Sequence, residues 1–560
     1  MIVMSKEQER LLENRNLNRN KTAQLNRIFR VCFVTVILLF AVAYSLASIL
    51  PHILYRTYAL DLGMFNHALY NYAHLQPAYF TLSTNGTEVP YLGDHFSPLT
   101  MLYAPFYYLF GSYTLLIIQI IAILFGGYSV FEYARFKGIN RWLSMVVMIH
   151  FFILWAVFGA LSFDFHNNVV AAMLVPWFVL QYEKGNLKSA LIFFALILMA
   201  KENMALWMSF ILLGLLMLQK NKFTIKINVT LGLIAFSFIY FLVVVLLVMP
   251  AYSKGIATDQ LARYEILNGS FIDIIKSIFL TPQKYFAVLF EDTRLIGHTG
   301  VKSALWFIFL ISGGFTLFYK PQYLVMIIPV IAQKMLSSSP VVWSSVYHYS
   351  IELAPVISFG VIAFLARINS GKWKIIFLAL LIFTSYYYNK DDKGKSRIPL
   401  FRAEHYKTDL NISEINKALN QIPDNAIISV NSQLAPHLAN RDIIRIFPYI
   451  KGSEYIVLLK QGIAYPMQAE EFQKMIDQML TDTAYIVYNS PDLLISKVQG
   501  KEFIFQTIKF DPVKLKEIED YIRNSTDWYN LIKEKAKINN LPVDTMLKRD
   551  AKYVYEKKYN

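Results

Sequence analysis

The sequence predicts a polytopic α-helical membrane protein of about eleven spans, with a small α/β domain following its membrane part. Three observations predict it. Residues are 55% hydrophobic and only 17% charged, whereas a soluble domain carries roughly 25% charge. Apolar runs such as VCFVTVILLFAVAYSLASIL and INVTLGLIAFSFIYFLVVVLLVM approach the ~20 residues that a helix needs to cross the hydrocarbon core. These runs are apolar all round the cylinder, which marks a buried or membrane helix. Basic residues gather in the arm before the first run and in short loops between runs, as the positive-inside rule requires.

That placement accounts for much of the net charge of +15. No reader motif accompanies the charge, so nucleic acid is not an expected partner. Cys32, the single cysteine, lies inside the first run, which excludes disulfides and thiolate metal clusters. The polar arm 1–30 and the run behind it, with no small-residue cleavage site, read as an uncleaved signal anchor.

The spans follow in order. Arg15, Arg19, Lys21, Arg27 and Arg30 precede the first span (31–50) and hold the N-terminus in the cytoplasm. Residues 51–111 form an outer loop whose one apolar run, 98–110, reads as interfacial or re-entrant. The second span (112–134) returns to Arg135, Lys137 and Arg141, and the third (142–163) and fourth (167–182) enclose an outer turn at Asp164 and His166. As one helix, 189–219 would be about 46 Å long, well beyond a ~30 Å core, with Lys201 and Glu202 at its middle. Two short helices with Lys201-Glu202-Asn203 at an outer bend return Lys220, Lys222 and Lys226 to the cytoplasm. This hairpin decides between ten, eleven and twelve crossings.

The next span (227–249) leads to an outer segment, 251–300, holding Arg263, Tyr264, Arg294 and His298. Runs 301–319, 322–337, 350–366 and 373–388 complete the membrane domain, 31–388, with Tyr347 and His348 in an outer loop. A linker (389–399) leads to an extracytoplasmic α/β domain, 400–500, with strand-like NAIISV, YIVLL and AYIVY and helix-like ISEINKAL and EEFQKMIDQML. Residues 501–560 form a charged amphipathic tail of two or three helices.

This topology, drawn from charge and hydropathy alone, puts Asp61, Asp94, His95, Asp164, His166, Lys201, Glu202 and His348 on one side. Several border spans, where ionisable groups are costly and often functional. Asp61 is either an N-cap for the following helix or a carboxylate free to act as general base. Asp94 and His95 suit substrate contact, a turn, or a divalent metal, although no HExxH or HxxxH spacing completes a metal set. Lys201 and Glu202 are an ion pair at a helical break or a phosphate contact oriented by the glutamate. Asp164 and His166 are turn residues or site residues, and His348, between Tyr347 and Tyr349, belongs to an aromatic belt or to the same pocket. Glycine-rich phosphate loops and Ser-His-Asp signatures are absent. Sequons stand at Asn85, Asn411 and Asn524.

Taken in order, YALDLGMFNHALYN, YLGDHFSPLTMLYAPFYYLFG with LLIIQ, FDFHNNVVAAMLVPW, MAKENMALW and VYHYSIELAP resemble the multi-pass membrane proteins grouped as domain of unknown function 2079. IPDNAIISVNSQLAPHLANRDIIRIFPY resembles the segment C-terminal to the membrane part in that group. The resemblance covers most of 30–460, with one departure: Asn203 stands where an acidic residue is expected, which puts a role for that position in doubt. The group is similar in layout to the C-type-fold (GT-C) membrane glycosyltransferases, which take a sugar from a polyprenyl-phosphate carrier. That likeness implies Asp61 as general base, with Lys201, His95 or Arg56 meeting the lipid phosphate. It also implies that His166 and His348 shape the sugar pocket, that the C-terminal domain holds the acceptor, and that the chain resides in the plasma (inner) membrane. Two other classes stay open: a transporter or flippase, since broken helices also build transport sites, and a non-catalytic lipid-binding or assembly protein.

Overall fold

The computed structural model describes residues 6–83, 88–218, 227–253, 264, 276–277, 280–290, 300–387, 398–481, 483–498, 512–538 and 542–559. Asn85, Lys220, Lys222, Lys226, Arg263, Arg294, His298 and most of the linker lie outside the described residues.

Helix α1 (Lys6–Ile53) is followed by a five-residue π turn, Ala59–Gly63, and α2 (Met64–Ala73). The membrane part continues with α3 (Thr114–Phe136), α4 (Arg141–Ile153), α5 (Trp155–Leu161), α6 (Asn167–Glu183), α7 (Leu187–Leu198), α8 (Glu202–Leu218) and α9 (Ile227–Val243). Helices α10 (Val301–Ile311), α11 (Gln322–Met335), α12 (Leu353–Arg367) and α13 (Gly371–Tyr387) complete it. Among the described residues, Arg19–Ile53, Pro98–Phe136, Ile227–Ser253 and His348–Arg367 are long and apolar enough to cross a membrane. The α4–α5 pair, bent by 50° at Leu154, adds a fifth if counted as one span.

Residues 98–110 are not a separate interfacial piece: their helical path runs on into α3, breaking only at Gly111, whose φ of +53° L side chains rarely adopt. Run 301–319 divides into α10 and a 3₁₀ segment, Gly314–Tyr319, because Gly313 turns the chain at φ +113°.

The break anticipated at Lys201 is present. Helix α7 packs on α6, with Trp177 on Phe193 at 5.9 Å and Phe178 near Phe194 at 6.1 Å. Helix α8 instead runs antiparallel to α11: Asn203 donates to Gln333, and Trp207 Nε1 donates to the Met326 carbonyl at 2.9 Å. The two halves therefore have different partners, and Lys201 sits between them.

Close packing around α3 depends on small residues. A Cβ at Gly127 would stand 2.0 Å from the Phe152 ring, which is itself fixed between Phe40 and Tyr44. Gly127→Ala is expected to destabilise the bundle by about 1–3 kcal/mol through overpacking. Gly232→Ala, where the new methyl meets nothing within 4 Å, should be neutral or better. Thermal unfolding of both variants in detergent checks the contrast, and equal melting temperatures would refute it.

The C-terminal domain holds α14 (Ile412–Leu419), β1 (Ile428–Val430), β2 (Ile444–Ile446), β3 (Tyr455–Leu459), α15 (Ala469–Thr481), β4 (Ile486–Asn489) and β5 (Leu493–Lys497). The strands form one five-stranded sheet in the order β2-β1-β3-β5-β4, parallel across its first three members and antiparallel beyond. Strands β2 and β5 are additional to the three read from sequence. The tail folds into α16 (Pro512–Asn524), α17 (Thr526–Ile538) and α18 (Val543–Tyr559) around Ile522, Ile532 and Leu547.

This domain docks on the loop that carries Asp61. Tyr55, Ala59 and Leu82 share a core with Ile428, Leu434 and Ile444. Ala59 N donates to Ser432 Oγ at 3.2 Å, Asn66 Nδ2 to the Pro436 carbonyl at 3.1 Å, and Gln433 Nε2 to the Tyr55 carbonyl at 2.9 Å. Gly63 lies so close to Ala435 that a Cβ there would sit 3.3 Å from that methyl.

Candidate active site

The π turn sets Asp61 with its carboxylate facing His166, whose Nε2 lies 3.3 Å from Oδ1. Asp61 is not an N-cap: position Gly63 precedes α2, and no side chain caps that helix. The capping role falls to Asp164, whose Oδ2 accepts from Tyr58 N at 3.1 Å and more weakly from Leu62 N at 3.5 Å. Asp164 adopts φ +40°, an αL-type conformation that Asp tolerates better than most residues. Burial, and then the neighbouring Asp61 carboxylate, push the Asp164 carboxyl up to about 7 against the pull of those two N–H groups.

Gln119 holds the turn between α5 and α6 from below. Its Nε2 donates to the Asp164 carbonyl at 2.8 Å and its Oε1 accepts from His166 N at 3.0 Å. The His166 ring stacks on His348 with centroids 3.4 Å apart, and Phe163 flanks both rings. Burial lowers the proton affinity of His166, while Asp61 opposes that change. A neutral imidazole fits a stacked pair better than two imidazoliums would.

Opposite stands the α7–α8 break. Glu202 Oε2 accepts from Phe96 N at 3.1 Å, and Oε1 lies 3.5 Å from His95 Nδ1. Lys201 is different: among the described residues no hydrogen bond or ion pair engages its ammonium. The expected Lys201–Glu202 ion pair therefore does not form, because Glu202 is turned to His95.

These groups share one cavity of about 990 Å³. Asp61, Asp94, His95, His166, Lys201, Glu202 and His348 all line it. Asp164 stands behind Asp61 rather than on the wall. Arg56 is elsewhere: its guanidinium donates to the carbonyls of Glu404 and His405 at 3.2 Å and to that of Lys407, pinning the entry to the C-terminal domain. Apolar side chains share the lining, among them Leu206, Trp207, Phe241, Val245, Met249 and Val330. Asp94 Oδ2 and His95 Nε2 are 3.9 Å apart, and no group of three or more His, Cys, Asp or Glu among the described residues is arranged to hold a metal ion. The donor set does not fit a divalent metal there.

Glu352 also lines the cavity and was not singled out from sequence. The signal was available: it is an ionisable residue four positions after His348, at the head of an apolar span.

Fold and site together define a polytopic helical membrane protein with a cavity of mixed polar and apolar lining, and with a small α/β domain docked on the loop that carries Asp61. Residues 52–493 match the model of the family described as "Predicted membrane protein (DUF2079)", and the chain belongs to that family. No curated protein matches the chain.

Proposed function

We propose that this protein is a membrane glycosyltransferase of the C-type fold, with about eleven crossings, that moves a sugar from a polyprenyl-phosphate carrier to an acceptor on the extracytoplasmic side of the plasma membrane. The observation that carries this reading is the double character of the cavity. Carboxylates, imidazoles and the Lys201 ammonium line it together with Trp207, Phe241, Val245 and Met249. A lipid-linked sugar combines the same two characters.

In this reading Asp61 takes the proton of the acceptor hydroxyl. The acceptor oxygen attacks the anomeric carbon, and the bond from that carbon to the phosphate oxygen breaks, leaving its electron pair on the phosphate. A single displacement of this kind inverts the anomeric centre. His166 holds Asp61 in place through their 3.3 Å contact, and Lys201 meets the charge that develops on the leaving phosphate. No step is routed through a metal. The C-terminal domain, docked beside the Asp61 turn, would bring the acceptor.

The test is native mass spectrometry of the full chain in mild detergent, wild type beside Asp61→Asn. The variant should retain glycosylated polyprenyl phosphate, while the wild type carries the bare carrier. Neither species on either folded protein would overturn the donor assignment and favour transport of another solute.

A further inference from the structure

Glu352 is 5% exposed and its two oxygens are treated differently. Oε1 accepts from Asn168 Nδ2 at 2.8 Å, whereas Oε2 has no hydrogen-bond partner. Asn168 is itself buried, and its Oδ1 is likewise unpartnered. Two cations, Lys334 and Lys201, feel this carboxylate, but neither makes an ion pair with Glu352 among the described residues, and Lys334 donates instead to the Val342 carbonyl at 2.7 Å. His166 and His348, on the same cavity, each have an unpartnered buried Nδ1. Buried polar atoms are nearly always satisfied, so unpartnered atoms on Glu352, His166 and His348, three residues that line one cavity, mark a wall built for a ligand with several hydrogen-bonding groups.

An acceptor oxygen selects for donors. An ionised phosphate offers none and is repelled by a carboxylate, while a sugar hydroxyl or amine can donate. From this we infer that Glu352, held by Asn168, is the sugar-recognising residue of the cavity, receiving a hydroxyl or amine of the transferred sugar while Lys201 receives the phosphate. This rests on the proposed glycosyltransferase function and adds an orientation to it: the sugar faces α6 and α12, the phosphate faces the α7–α8 break, and the chain lies along α9 and α11.

The test compares two probes on the full chain in detergent: decaprenyl phosphate alone, and a panel of decaprenyl-phosphoryl sugars carrying glucose, mannose, galactose or arabinose. Wild type should bind at least one sugar-bearing probe more tightly than the bare phosphate. Glu352→Gln should weaken that probe by about 10- to 100-fold and leave the bare phosphate unchanged. Glu352→Asp, which keeps the charge but withdraws the oxygen, should do the same and serves if the glutamine variant misfolds. Equal weakening of both probes, no weakening of either, or no sugar preferred by wild type would each overturn the inference while leaving a phosphate-carrier site in place. Failure of wild type to bind either probe would overturn the glycosyltransferase reading as well.

Discussion

Lys201→Gln is expected to lower sugar transfer by about 10²- to 10³-fold, the cost of removing one preorganised charge from a developing oxyanion, with the fold intact. Among the described residues this ammonium makes no hydrogen bond or ion pair, and Glu202 beside it serves Phe96 N and His95 instead. Lys201 directly precedes α8, where the helix dipole disfavours a cation. Its removal should therefore leave thermal stability unchanged or slightly raised. The loss should fall on retention of the bare carrier phosphate as well as on turnover, because a leaving phosphate is charged before and after the step. Transfer assays and carrier retention measured on one preparation decide the matter. A variant that transfers sugar at the wild-type rate, or that loses activity only in step with stability, would refute the assignment.

Asp164→Asn carries the second large effect, and here the readout is stability against pH. In the fold this carboxyl keeps its proton up to about 7, whereas in an unfolded chain an aspartate ionises near 3.9. Below about pH 4 both states are protonated and nothing is lost. Between about pH 4 and pH 7 the unfolded chain ionises first, so stability falls as pH rises, and above 7 the full penalty is present. An asparagine oxygen can still accept from Tyr58 and Leu62, asparagine tolerates φ +40°, and it never ionises. The variant should be more stable than wild type at pH 8 by on the order of 2 kcal/mol, solvent screening trimming the effect at a half-buried group. The gap should close near pH 4. Asp164→Ala should be less stable than Asp164→Asn at every pH, because the π turn loses its acceptor. A wild type and Asn variant separated by the same margin at pH 4 and pH 8 would contradict this account.

Much of the membrane architecture was legible because its determinants are local. Hydropathy marks each run, and the helical break at Lys201 could be placed because one continuous helix would have put a lysine and a glutamate mid-membrane. The same charge rule put Asp61, His166 and His348 on one side, and all three line the cavity. Their pairing was not legible. The Asp61–His166 contact and the His166–His348 stack join separate elements, and hydropathy carries no information about which elements touch. Long-range contacts also bear on two further residues. Asp61 could be read as the cap of its own helix or as a free carboxylate, and the capping oxygen comes from Asp164, about a hundred positions onward. Arg56, one of three cations that the family likeness set against the phosphate, has its guanidinium on carbonyls of the segment leading into the C-terminal domain. Strands β2 and β5 are no shorter than β1 and β3, but Arg445 interrupts β2, and the leucines of β5 carry less strand preference than the β-branched run of β1.

The docking of that domain on the Asp61 turn links two events that look separate. Ser432 and Pro436 hold residues on both sides of Asp61, so the seated domain helps to set the position of the carboxylate alongside Asp164 and His166. Any ligand that binds this arrangement more tightly than the undocked one must strengthen the seating by the same factor. An acceptor gripped by the domain would thereby sharpen binding in the cavity without touching it, and a filled cavity would raise the domain's hold on the acceptor. The joint between the two parts is thus a reciprocal coupling element, and its strength bounds how far one site can sense the other.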